Sequence, residues 1–96
     1  MKLPVLLFVL LFCSVTHALD INERVEISEK IMKIYRDVCS ITSEKHIDVS
    51  EIKAAFELAA IYVIHGEYNN MKEQVLKARS ISKSRACQKA IDSFLS

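Results

Sequence analysis

The stretch Asp48-Val-Ser-Glu51-Ile52-Lys-Ala-Ala55-Phe56-Glu-Leu58-Ala59-Ala-Ile61-Tyr62-Val63-Ile64-His65-Gly66 decides how this chain folds. Asp48 with Glu51 three residues later has the form of a capping box, and Ile47 can close on Ile52 as a hydrophobic staple. The body from Ile52 to His65 is apolar nearly all round. A helix of that kind must be covered on most sides, by its own domain or by a partner. Gly66 supplies the left-handed residue that ends it.

Reading outward, the preceding segment predicts an amphipathic helix from about Asn22 to Thr42. Asp20 caps it, with Glu23 as the capping-box partner, and Ile27, Ile31, Ile34, Tyr35, Val38 and Ile41 recur at helical spacing. Glu26 with Lys30 and Glu29 with Lys33 stand four apart and are expected to pair on the wet side. Ser40 to His46 reads as the connection. Downstream, a third helix is expected from Asn69 or Asn70 to Ile81, with Met71, Val75, Leu76 and Ala78 inward. Ser80, Ser82 and Ser84 weaken it, and Ser82 or Ser84 caps a fourth from Arg85 to Phe94. That helix presents Cys87, Ala90, Ile91 and Phe94 inward. Whether the third and fourth are separate or one bent helix stays open. With one Gly and one Pro in the chain, hairpin punctuation and strand alternation are missing. The expectation is an all-α fold: a small four-helix domain, orthogonal or bundle-like, after a signal peptide and with one disulfide.

Ala59-x-x-Tyr62-x-x-x-Gly66-x-Tyr68, with Ala78 downstream, resembles the helix-turn-helix of a tetratricopeptide repeat. Small residues let two helices approach, and the glycine makes the turn. The resemblance covers roughly one repeat, Met71 stands where a small residue is usual, and no second copy occurs. Solenoid repeats need neighbours to bury their faces. What it implies is a close antiparallel helical hairpin, without a tetratricopeptide function.

Residues 1–18 differ from the rest. Lys2 precedes an apolar run from Leu3 to Phe12, and Thr16 and Ala18 stand at the positions that signal peptidase reads. The run is too short to span a bilayer, which takes roughly 20 apolar residues. A cut between Ala18 and Leu19 is therefore expected, leaving a single helical domain over 19–96. The internal stretch Ala54–Ile64 is short and carries Glu57, so no transmembrane segment is expected.

Cys13 belongs to the leader, leaving Cys39 and Cys87. An even pair in an oxidising compartment favours a disulfide, here expected within one monomeric chain. Two buried free thiols, or bridges to a second chain, are the alternatives. The formal net charge of +1 is nearly neutral. Acidic residues are in excess from Asp20 through Glu67. Lys72, Lys77, Arg79, Lys83, Arg85 and Lys89 dominate after it. Lys72, Arg79, Lys83, Arg85 and Lys89 are candidates for a basic surface toward an anionic partner or membrane; alternatively, the two halves pack and their fields partly cancel.

His46-x-Asp48 and His65-x-Glu67 are the only histidine pairs with metal-ligand spacing, and neither belongs to an HExxH or Pro-Cys-x-x-Cys framework. Both histidines fall at helix ends, where an imidazole meets carbonyls or solvent. Gly-rich phosphate loops, a nucleophile elbow and a calcium loop are missing from the sequence. Neither an enzyme, a cofactor, a metal nor a nucleic-acid partner is expected. Adjacent basic residues for prohormone cleavage and N-glycosylation sequons are missing too.

The leading expectation is a secreted extracellular protein that binds another protein or receptor, of the type found in seminal fluid, saliva, venom or immune secretions. The alternative is a carrier of a small apolar ligand, with Phe56, Tyr62, Ile64, Met71 and Phe94 lining the cavity. Those residues serve equally as core. Secretoglobins are similar in size, helix count and cysteine number, but their cysteines lie near both chain ends, unlike Cys39. A membrane-active peptide using the basic C-terminal segment is the third reading.

Overall fold

Asp20 opens the first helix: its carboxylate accepts from the N–H groups of Asn22 at 2.7 Å and Glu23 at 3.1 Å. Two of the unpaired donors at the helix start are thereby satisfied. In a computed structural model that describes residues 19–41 and 46–96 (at 46–49 the backbone alone), this helix, α1, spans Ile21–Ile34. It runs on without a break into a π-helical turn over Tyr35–Cys39. There the Ser40 N–H reaches back five residues to the Tyr35 carbonyl at 2.7 Å. The wider turn admits an extra residue, and Ile31, Tyr35 and Cys39, each four apart, all remain buried. The periodicity of the sequence foretells the helix but not this change of pitch.

Among the described residues the remaining helices are α2 (His46–Ile64), α3 (Tyr68–Ile81) and α4 (Arg85–Leu95), with no strand. The expected start of α2 needs correction. Its backbone is helical from His46, so Asp48 falls in the first turn and is not the N-cap. An acidic residue is favoured at either place, because the first-turn N–H groups are unpaired and the helix end is positive. Residue type alone does not distinguish them. The Ile47 end of the expected staple, and residues 1–18 with the expected leader, lie outside what is described.

Gly66 ends α2 at φ 77°. The Gly66 N–H donates to the Val63 carbonyl at 3.0 Å and the Glu67 N–H to the Tyr62 carbonyl at 2.9 Å. This pair of bonds is the Schellman arrangement. Helix α3 begins immediately, which makes the tight α2–α3 hairpin. Helices α3 and α4 are separate. The Ser82 N–H still bonds Ala78, but Ser82 is extended. Ser84 Oγ then accepts the Cys87 N–H at 3.2 Å as the cap of α4. Ser82 is itself buried, and its carbonyl accepts from Gln88 Nε2 at 2.9 Å, so this junction is a built corner.

The core is drawn from every helix. Ile31 and Tyr35 meet Ile52, Phe56 and Val63 of α2, with Val75 and Ala78 of α3 and Ile91 of α4. Tyr35 and Phe56 lie ring to ring at 5.8 Å and a tilt of 48°, in the range that aromatic pairs favour. A disulfide joins Cys39 to Cys87, with Cα atoms 4.9 Å apart, and both cysteines are buried. It ties the π turn of the first helix to the first turn of the last.

Candidate functional site

Helix α2 is covered on one side only. Ile52, Ala55, Phe56, Ala59, Ala60 and Val63 are buried, whereas Ala54, Leu58 and Ile61 face solvent. Leu58 is 42% exposed and Ile61 52%. Positions 54, 58 and 61 form an i, i+4, i+7 row on a single face. Helical geometry puts Glu51 and Glu57, both exposed, about 60° to either side of Ala54. The expectation that nearly all of this helix must be covered is met by the domain on one face and left open on the other.

A second feature is concave. Helix α1, the start of α3 and the end of α4 enclose a groove of about 760 Å³. Ile27, Ile34, Val38, Phe94 and Leu95 give it an apolar floor, and all five are half-buried. Lys30, Lys33 and Lys72 stand around it with one acidic side chain, Asp37.

These lysines were assigned other work by sequence spacing. The pairs Glu26–Lys30 and Glu29–Lys33 do not form: among the described residues the one salt bridge joins Arg79 to Asp92. Exposed i, i+4 pairs gain little over solvation, and fixing two long side chains costs entropy, so their absence is physically ordinary. The expected basic surface is also dispersed. Lys72 belongs to the groove, and Arg79 is held by Asp92. Lys83 and Arg85 are exposed at the α3–α4 corner, and Lys89 is exposed on α4. The nine helical steps from Lys72 to Ile81 alone span about 14 Å, and Lys83 lies beyond them.

Arg79 Nε and Nη2 donate to the two carboxylate oxygens of Asp92 at 2.7 and 2.9 Å. The guanidinium holds the Asp92 carboxyl below its ordinary value, chiefly through those hydrogen bonds. The same hydrogen bonds raise Arg79.

Of the residues expected to line an apolar cavity, the structure brings Met71 and Phe94 to the groove. Phe56 is in the core, and Tyr62 and Ile64 are half-buried elsewhere. Leu19, at the expected cut, is exposed, while Ala18 lies outside the described residues. His65 is exposed at the turn after α2; the side chain of His46 lies outside the description. Among the described residues no group of three His, Cys, Asp or Glu side chains is placed to hold a metal ion. Nor is any described helix long and apolar enough to cross a membrane.

Comparison with family models, with curated proteins and with solved structures finds no match to this chain. The reading of its surfaces therefore rests on their own chemistry. Sequence reasoning missed Ile27, Ile34 and Val38 as groove residues because it placed the α1 stripe wholly in the core, and Leu95 because it ended the last helix at Phe94. It missed Lys30 and Lys33 because it paired them with glutamates. The signal available was the excess of apolar positions on α1 over what one small core can cover.

Proposed function

We propose that this chain is a small secreted protein that acts outside the cell by binding another protein, without catalysis. Three features support the reading. Residues 1–18 have the pattern of a cleaved leader. The Cys39–Cys87 disulfide fits an oxidising compartment. The sequence offers no nucleophile, metal or cofactor framework.

The observation that carries the binding reading is the uncovered row Ala54, Leu58 and Ile61, set on the most apolar helix of a stapled scaffold. Glu51 and Glu57 border it, so the complementary surface is apolar at its centre and basic at its edge. Such a partner desolvates Leu58 and Ile61 while its cations meet the two carboxylates. A rigid helix face also loses little conformational entropy on docking.

The test starts from the full chain expressed in a secreting host, with the N-terminus of the collected protein sequenced. A start at Leu19 is expected, and a start at Met1 overturns the secretion reading. The collected protein and its Leu58→Asp/Ile61→Asp variant are then immobilised and challenged with the fluid into which the native protein is released. A protein retained by the wild type and weakened roughly tenfold or more on the variant, at unchanged helicity, supports the reading. Equal retention by both, or none by either, overturns it.

A further inference from the structure

The groove between α1, α3 and α4 is separate from the α2 row and has a different chemistry. Its volume of about 760 Å³ is that of a small-molecule site. Its floor is aliphatic and aromatic, built from side chains that the domain only half covers. Around it stand three lysines against one aspartate. None of Lys30, Lys33, Lys72 and Asp37 has an ion-pair partner among the described residues. An apolar trough with an unneutralised basic rim is complementary to a molecule with a long apolar body and an anionic end.

We propose that this groove binds a long-chain fatty carboxylate. The alkyl chain lies along Ile27, Ile34, Val38 and Phe94, and the head group meets Lys30, Lys33 and Lys72. Lysine suits the task, because its methylene stem extends along apolar surface while the ammonium stays at the wet edge. The ammonium groups lose little on meeting a carboxylate, having no ion-pair partner among the described residues to give up. The π turn contributes Asp37 and Val38 to the wall, and turns of this kind recur at functional sites. A second carboxylate on the ligand would meet Asp37, so a single anionic head is favoured over a polyanion.

Isothermal titration of the protein collected after expression of the full chain tests this, using dodecanoate below its micellar range. Saturable one-to-one binding is expected, tightening roughly two- to fourfold per methylene from decanoate to tetradecanoate. Dodecyltrimethylammonium, which has the same chain and the opposite charge, is expected to bind at least tenfold more weakly. The variant Lys30→Gln/Lys33→Gln/Lys72→Gln should lose about tenfold in dodecanoate affinity while keeping its affinity for uncharged dodecyl maltoside. Ala90→Trp, which fills the groove from α4, should abolish binding of both at unchanged helicity. Several results would overturn the proposal: no saturable binding, equal affinity for the cationic and anionic amphiphiles, or no dependence on chain length. So would a triple variant that still binds like the wild type, or binding to anionic phospholipid vesicles without binding of monomeric dodecanoate. A sedimentation dimer that dodecanoate fails to dissociate would assign the groove to a second copy instead. Because Leu58 and Ile61 are untouched by these variants, failure here leaves the protein-binding reading standing, and the reverse also holds.

Discussion

Arg24 Nη1 donates to the backbone carbonyl of Ile64 at 2.9 Å, across forty residues of sequence. The three carbonyls before it are already taken: Ile61 by His65 N–H, Tyr62 by Glu67 N–H and Val63 by Gly66 N–H. Ile64 is thus the open end of the α2 hydrogen-bond ladder, half-buried, and a cation from the first turns of α1 completes it. The contact also satisfies the negative end of the α2 dipole. It pins the beginning of α1 to the end of α2, at the opposite end of the pair from the Tyr35–Phe56 contact.

Replacing Arg24 by alanine should therefore destabilise the domain by about 1–2 kcal/mol, the range of a charged hydrogen bond at a half-buried helix end. Urea denaturation followed by helical circular dichroism measures this. Arg24→Lys should recover part of the loss, since the charge is kept and the planar reach is not. A null effect of Arg24→Ala would mean that solvent caps α2 equally well.

Gly66 is the second element of the same terminus. Its φ of 77° strains any residue with a Cβ, although nothing crowds the position: a Cβ there would meet Arg24 Nη1 in ordinary contact at 3.6 Å. The cost of Gly66→Ala is thus conformational, about 1–2 kcal/mol. Gly66→Asn should cost less, because asparagine tolerates the left-handed region better. Urea midpoints of the two variants give the order directly.

The disulfide closes a separation of 48 residues. In the chain-entropy model its removal costs about 4 kcal/mol. For a domain of this size that is a large part of the total stability. The Cys39→Ala/Cys87→Ala variant should show a much lower urea midpoint than the oxidised protein, and many molecules unfolded at body temperature. Reduction of the wild type with dithiothreitol should give the same shift.

The parts of this fold that were legible beforehand are those set by neighbours in sequence. Gly66 as terminator, Ser84 as a cap, Asp20 as a cap and the apolar spacing of α2 all act within one or two turns. The pairing of Cys39 with Cys87 followed from parity and compartment. What escaped depends on distance or on competition between similar local states. Arg24 finds Ile64 only after α1 and α2 pack. The π turn at Tyr35–Cys39 differs from an α turn by one residue, which apolar periodicity over so short a stretch does not resolve. Asp48 suits the first turn as well as the cap. The groove arises because Ile27, Ile34 and Val38 carry the same spacing as core residues, while Ile31 and Tyr35 take up the interior positions available on α1. Spacing identifies an apolar face; it does not measure how much of that face the other helices can cover.

Ala59 of α2 is 0% exposed, within the core that all the helices share, and the tetratricopeptide resemblance implies that it faces α3. Enlarging it should separate the two helices. Ala59→Leu is expected to cost about 1–3 kcal/mol through overpacking, despite the gain in apolarity. The same substitution at exposed Ala54 should be nearly neutral. Thermal melts of the two variants provide the contrast, and equal behaviour would deny that the hairpin is tightly packed at Ala59.

The Arg79–Asp92 bridge makes a prediction about acid. In the unfolded chain the Asp92 carboxyl titrates near its ordinary value of 3.8, and in the folded protein it titrates lower, through the hydrogen bonds from Arg79 and against some desolvation. Below 3.8 the unfolded state accordingly binds more protons than the folded one. By linkage, lowering the pH then favours unfolding. The stabilisation is fully present above the unfolded value and disappears as pH falls through the folded one. Both side chains are substantially exposed, at 39% and 54%, so the effect is small and weakens with salt. It is best read as a difference. Urea midpoints of the wild type and Asp92→Asn, taken from about pH 6 to about pH 3, should converge as acid is added, with the wild type losing more. Two parallel curves would mean that the bridge between α3 and α4 does not persist in solution.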